Sequence, residues 1–192
     1  EPQLTAPARP EGSPLFGFVF QHPTLLPWRT ALENLRLPFE VGPAGTSMPV
    51  TEEELFLLME QVGLQRADAG KRPSELSGGM QMRLSLARAL APRPGILLLD
   101  EPLAAVDDLL RMRLQEDVRR LHEQRQLTTL LVTHNIHEAV LMADRILVLG
   151  GRPAELQLDY AVPGPAVRTA DFRESPEFHA GVRAVLQQLT AM

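Results

Sequence analysis

Leu76-Ser77-Gly78-Gly79-Met80, followed after a helical run by Ile96-Leu97-Leu98-Leu99-Asp100-Glu101-Pro102, is the stretch that decides the fold. Ser77, with two glycines and an apolar period at Met80, Leu84, Ala87 and Leu90 behind it, reads as an N-cap opening a helix. Glycines there let the backbone come close to a ligand. The amides at the helix start, with the helix dipole, make an anion site suited to a phosphate. Pro92, Pro94 and Gly95 stop the helix, and the aliphatic run Ile96 to Leu99 reads as a strand buried on both faces of a parallel sheet. Ligands of doubly wound sheets sit at the carboxyl ends of strands, so Asp100 and Glu101 stand where a metal nucleotide would be met. Side chains alternate along a strand, so the two carboxylates point different ways and can take different tasks.

Working outward, Leu15 to Phe20 is a short β-prone run, and Gln21 opens a turn-rich segment, His22-Pro23-Thr24-Leu25-Leu26-Pro27-Trp28. A glutamine amide can offer an oxygen to Mg2+ or to an attacking water, and its loop can move with a neighbouring lobe. Residues 31–75 are expected to form a small helical lobe. Thr51 with Glu54 makes a capping box, Leu55, Leu58, Met59 and Val62 mark an apolar helical face, and Gly63 ends it. Asp107 caps a further helix whose Leu110, Leu114, Val118 and Leu121 fall on one face. Leu127 to Thr133 is a second aliphatic strand, with His134 at its end. His122 and His137 lack such placement and are given no chemistry. Beyond them come the end of a helix at 139–143, a strand at 145–149 turned by Gly150-Gly151 into a hairpin with 154–158, and a terminal amphipathic helix.

The chain has 192 residues, enough for one domain or one domain plus a lobe, and 44% hydrophobic content supports a core. It contains no cysteine, which excludes disulfides and thiolate metal sites and fits a reducing compartment. No apolar run has the length of a membrane span, and no basic-then-apolar signal stands at the start. The formal net charge of -5 argues against broad nucleic-acid binding.

The two quoted motifs resemble the signature motif and Walker B strand of the ATP-binding-cassette (ABC) ATPases. Gln21 is similar to the family's Q-loop residue, residues 103–107 resemble its D-loop, and His134 its H-loop. The D-loop likeness departs at Ala104, where the family more often has serine, which puts in doubt a hydroxyl contact across a dimer interface. The resemblance covers roughly residues 15–158, with five motifs in family order. It implies an α/β fold: a P-loop NTPase-like core with a mainly parallel sheet, a small helical lobe, and an N-terminal part missing. The expected division is a lead at 1–14, strand and Q-loop at 15–30, helical lobe at 31–75, the signature, Walker B, D-loop and H-loop core at 76–158, and a tail with a helix at 159–192.

The resemblance also implies ATP and Mg2+ as ligands. Asp100 and Gln21 would serve the Mg2+ shell, Glu101 the water that attacks the γ-phosphate, and His134 the γ-phosphate and the register of that water. Two subunits would pair head to tail, with Ser77, Gly78 and Gly79 serving the partner's nucleotide, and Asp107 counted with them among the nucleotide-binding residues. The remaining partners would be a transmembrane permease subunit, received by a groove for which Trp28, Leu35 and Phe39 are candidates, and indirectly a solute-binding protein, with no nucleic acid. The protein would lie on the cytoplasmic face of the cell membrane. The Leu-Leu-Pro-Trp continuation looks most like importers of the nitrate, sulfonate and taurine group. No G-x-x-x-x-G-K-[ST] occurs, Lys71 being the single lysine, and the chain starts at Glu1. It is therefore expected to be a cassette without its P-loop, inactive alone. Three readings stand: the ATPase subunit of an importer, an inactive cassette with a structural or regulatory role, and a soluble non-transport ABC ATPase. The last usually needs inserts or a second cassette, for which there is no room here.

Overall fold

The computed structural model describes residues 14–41, 50–104, 106–165 and 168–190. Most of the expected lead at 1–14 lies outside them. The chain divides into two compact units, Glu1–Val132 and Thr133–Met192.

The first unit is built on a three-stranded parallel sheet in the order β1 (Phe16–Val19), β2 (Ile96–Asp100), β3 (Thr128–Val132). Parallel neighbours require crossovers, and these contain the helices α1 (Ala31–Val41), α2 (Glu52–Gln61), α3 (Gly78–Leu90) and α4 (Asp108–Arg125). Local chemistry starts each helix. Thr51 accepts from the Glu54 N–H while the Glu54 carboxylate accepts from the Thr51 N–H, the capping box read from sequence, and Gly63 stands just past the end of α2 at φ +78°. A matching exchange between Thr30 and Glu33 opens α1. Ser77 accepts from Met80 N–H and Asp107 from Leu110 N–H, so α3 and α4 begin where their caps stand.

The core of this unit lies on one face of the sheet. Val19, Leu97 and Leu99 are buried there, as are Leu84, Ala87 and Leu90 of α3. α3 approaches β1 so closely that a Cβ on Gly17 would sit 2.7 Å from the Ala89 carbonyl oxygen. The burial expected of β2 on both faces is met at Ile96, Leu97 and Leu99, while the flanking strands leave the opposite face open. Phe16, Phe18 and Phe20 are 44%, 51% and 46% exposed, Leu130 and Val132 are 50% and 52% exposed, and Leu98 between them is half-buried. The groove candidates also separate. Leu35 is fully buried as lobe core, Phe39 is half-buried, and Trp28 is 69% exposed.

The second unit opens with Thr133-His134-Asn135, and Asn135 caps α5 (Ile136–Met142) by accepting from Glu138 N–H. β4 (Arg145–Gly150) and β5 (Glu155–Ala161) form an antiparallel hairpin. A short helix α6 (Ala170–Arg173) and the terminal α7 (Pro176–Thr190) follow. α7 packs on α5 at Gly181, where a Cβ would be 2.9 Å from a Val140 methyl. Arg168 is buried and donates to the carbonyls of Val140, Leu141, Ala143 and Val162, placing a cation where α5 ends.

Candidate functional site

The parallel register gathers one group of candidates. Val19 of β1 stands beside Leu99 of β2, so Gln21 leaves β1 at the same end of the sheet as Asp100 and Glu101 leave β2. Asp100 in turn pairs with Val132, the last residue of β3. Asp100 and Gln21 are exposed and Glu101 is half-buried. Glu101 takes φ +43°, a region that residues with a Cβ rarely occupy, and its N–H donates to the Val132 carbonyl at 2.9 Å. Strain of this kind concentrates where a side chain must be aimed. The backbone leaves the strand conformation at Glu101, whereas Asp100 is the last residue of β2.

A second group forms around the start of α3. Ser77 and Gly78 are exposed, and the Gly78 and Gly79 amides belong to the first turn, outside the helical ladder. The two glycines then differ. A Cβ on Gly78 would meet nothing within 4 Å, so that backbone is open to an incoming group. A Cβ on Gly79 would sit 2.2 Å from a Leu110 methyl, so Gly79 is needed for α4 to close on α3. Asp107 fixes Leu110 through its cap, and the residue expected in the D-loop thereby reaches Gly79 through packing. Of that loop, Ala105 lies outside the described residues. His134 belongs to the second unit, where it is exposed and immediately precedes the Asn135 cap of α5.

Three residues that hold these groups were not found by sequence reasoning. Asn34 of α1 is fully buried. Its Oδ1 accepts from Leu26 N–H at 2.8 Å and its Nδ2 donates to the Leu26, Arg29 and Thr30 carbonyls. Arg88 of α3 donates from Nη1 to the Thr24 carbonyl and from Nη2 to the Thr24 hydroxyl, both at 2.7 Å. Gln81 donates to the Pro73 and Leu76 carbonyls and fixes the approach to Ser77. Only Asn34, a polar residue inside an apolar helical face, carried a local signal. The Arg88 contact spans 64 residues and has none.

A family model for ABC transporters matches residues 3–104, more than half of the chain. The chain belongs to the ABC transporter family. The aliphatic sulfonates import ATP-binding protein SsuB 1 of Pseudomonas aeruginosa is 42% identical over 149 residues, covering 77% of this chain and 56% of that protein. The nitrate import ATP-binding protein NrtC of Synechocystis sp. is 43% identical over 153 residues, covering 78% and 22%. The bicarbonate transport ATP-binding protein CmpC of the same organism is 42% identical over 171 residues, covering 84% and 24%. Among solved structures, the dimeric ATP-binding cassette MJ0796 in a post-hydrolysis state bound to ADP and Pi gives a TM-score of 0.64 at 33% identity, covering 79% of this chain and 64% of that one. The α/β fold expected of an ABC cassette, with its parallel sheet and helices, is the one found. The chain spans about half the length of the sulfonate relatives and about a quarter of the nitrate and bicarbonate relatives. Among the described residues no helix is long and apolar enough to cross a membrane.

Proposed function

We propose that the complete protein is the ATP-hydrolysing subunit of a membrane importer, paired head to tail with a second ATPase subunit and seated on a permease at the inner face of the cell membrane. The observation that carries this reading is the juxtaposition of Gln21, Asp100 and Glu101 at one end of adjacent parallel strands, in a chain of the ABC family. The relatives take their names from nitrate, bicarbonate and sulfonates, all small oxyanions. A solute of that class is proposed here too, chosen by other subunits.

Each residue's task follows from its chemistry. Mg2+ binds through one or two carboxylate or amide oxygens together with substrate phosphates, so Asp100 and Gln21 are the residues that would hold it, and their exposed oxygens fit that donor set. When bound, the ion neutralises charge on the β and γ phosphates. Glu101, turned from the strand by its backbone, accepts a hydrogen bond from the attacking water and orients it. His134 bonds the γ-phosphate. Ser77 and the amides of Gly78 and Gly79 serve the nucleotide held by the other subunit, with the positive end of α3 facing its γ-phosphate. Asp107 acts with them, by holding Leu110 against Gly79.

The test is Glu101→Gln in the complete protein. The amide is nearly isosteric but is a poor acceptor for the water's proton, so turnover should fall by about a hundredfold or more while ATP binding stays within about twofold. An ATP-bound dimer should accumulate. Turnover within a few-fold of wild type would remove Glu101 from this role.

A further inference from the structure

The loop carrying Gln21 is fastened to α3 at two points that are neighbours on that helix. Before Gln21, the Gly17 backbone seats against Ala89, with room for no side chain. After it, the Arg88 guanidinium grips Thr24 with a two-pronged bond to the carbonyl and the hydroxyl. Residues 17 to 24 therefore form a short span whose two ends are both tied at positions 88 and 89. The distal part of the loop is fixed separately, by buried Asn34 on Leu26, Arg29 and Thr30. Arg88 is half-buried, and among the described residues no carboxylate pairs with it. Its charge is thus not neutralised by a carboxylate, and both arms of its fork bond to Thr24. Lysine, with a single rotatable ammonium, does not reproduce that planar grip.

We propose that Arg88 is a positioning residue that clamps the Gln21 loop to the helix capped by Ser77, so that the two ends of the subunit's nucleotide machinery move together. The proposal rests on the reading above, in which Gln21 serves this subunit's nucleotide and Ser77 the partner's. α3 carries Ser77 at its start and Arg88 ten residues after Gly78, roughly 15 Å along the helix. A shift of α3 on engaging the partner's phosphate would be passed by Arg88 to Gln21, making each site sensitive to occupancy of the other.

Two readouts on the complete protein test it, one of which does not need catalysis. Hydrogen exchange of the peptide covering 21–28 is compared for wild type, Arg88→Gln, Arg88→Lys and Thr24→Val, with the β2 peptide as reference. Steady-state ATPase kinetics are taken on the same four proteins. Arg88→Gln is expected to speed exchange in 21–28 by about tenfold or more while β2 is unchanged, and to lower kcat by about tenfold to a hundredfold with KM for ATP within about twofold, because about 1 Å of misplacement suffices for such a loss. Arg88→Lys should behave like Arg88→Gln. Thr24→Val, which removes the hydroxyl on an exposed loop and cannot threaten the core, should give a smaller change in the same direction, and the double variant should be no worse than Arg88→Gln alone. Unchanged exchange in folded Arg88→Gln, a loosened loop with full kcat, or full activity in Arg88→Lys would each overturn the clamp. If Arg88→Gln does not fold, the Thr24→Val exchange result decides. A wild-type protein without ATPase activity would instead sink the proposed function, and the exchange comparison would still decide the clamp.

Discussion

At the scale of single residues, the adjacent glycines after Ser77 make the sharpest contrast. Gly79→Ala should drive a methyl into Leu110 and cost about 1–3 kcal/mol of stability, read from the urea midpoint. Gly78→Ala adds a Cβ to open space in a helical turn, so stability should hold or rise by up to about 1 kcal/mol, while ATPase turnover falls because the backbone no longer approaches a phosphate. Equal stability losses would refute the distinction. In sequence the two glycines read alike, as places for a ligand to come near. Only the approach of α4, set by residues about 30 positions away, separates them. Asp107, Ser77 and Thr51 were legible because a cap bonds to the amide three residues on and its partner is written beside it. Arg88 and Thr24 were not, since nothing near either one names the other.

At the scale of elements, helix starts were readable and sheet coverage was not. The turn after α2 shows how a local motif adds pH dependence. Asp68 is buried, and the Lys71 ammonium at 2.7 Å and the Gln65 N–H at 2.9 Å hold its carboxyl below the ordinary value of 3.8. A lowered folded-state value means the stabilisation is complete above the ordinary value and is lost as pH falls through the lowered one. Asp68→Asn should therefore destabilise the protein at about pH 7, and the difference from wild type should shrink as the pH is taken down from the ordinary value, a trend that a series of denaturant titrations would settle. The α1 to loop junction depends on Asn34 in another way. Asn34→Leu leaves the Leu26 amide without its acceptor and should cost about 2 kcal/mol. The hydrophobic pattern of β2 is met by burial of Ile96, Leu97 and Leu99, but the apolar residues of β1 and β3 beside it lie partly open, because a strand's pattern records what it can tolerate. Which helix covers a face is decided by the path of the whole chain.

At the scale of the molecule, the row of Phe16, Phe18, Phe20, Leu130 and Val132 leaves an apolar strip open on the first unit, with β3 at the sheet edge. Residues 1–192 expressed by themselves should accordingly bind a hydrophobic dye and associate, and Phe18→Ser with Leu130→Ser should reduce both, as seen by fluorescence and light scattering. Dye binding unchanged by the pair of substitutions would show that the strip is not the surface responsible. The central claim is that one subunit supplies Glu101 to its own nucleotide and Ser77 to the other's. It is tested most directly by mixing two complete proteins, one carrying Glu101→Gln and the other Ser77→Arg, each inactive alone. A site shared between subunits puts both lesions into one composite site of the mixed dimer and leaves the other whole, so ATPase activity should return on mixing. If mixed dimers form, the mixture stays inactive and position 77 does not crosslink to a γ-phosphate analogue bound in the other subunit, the shared-site account is contradicted.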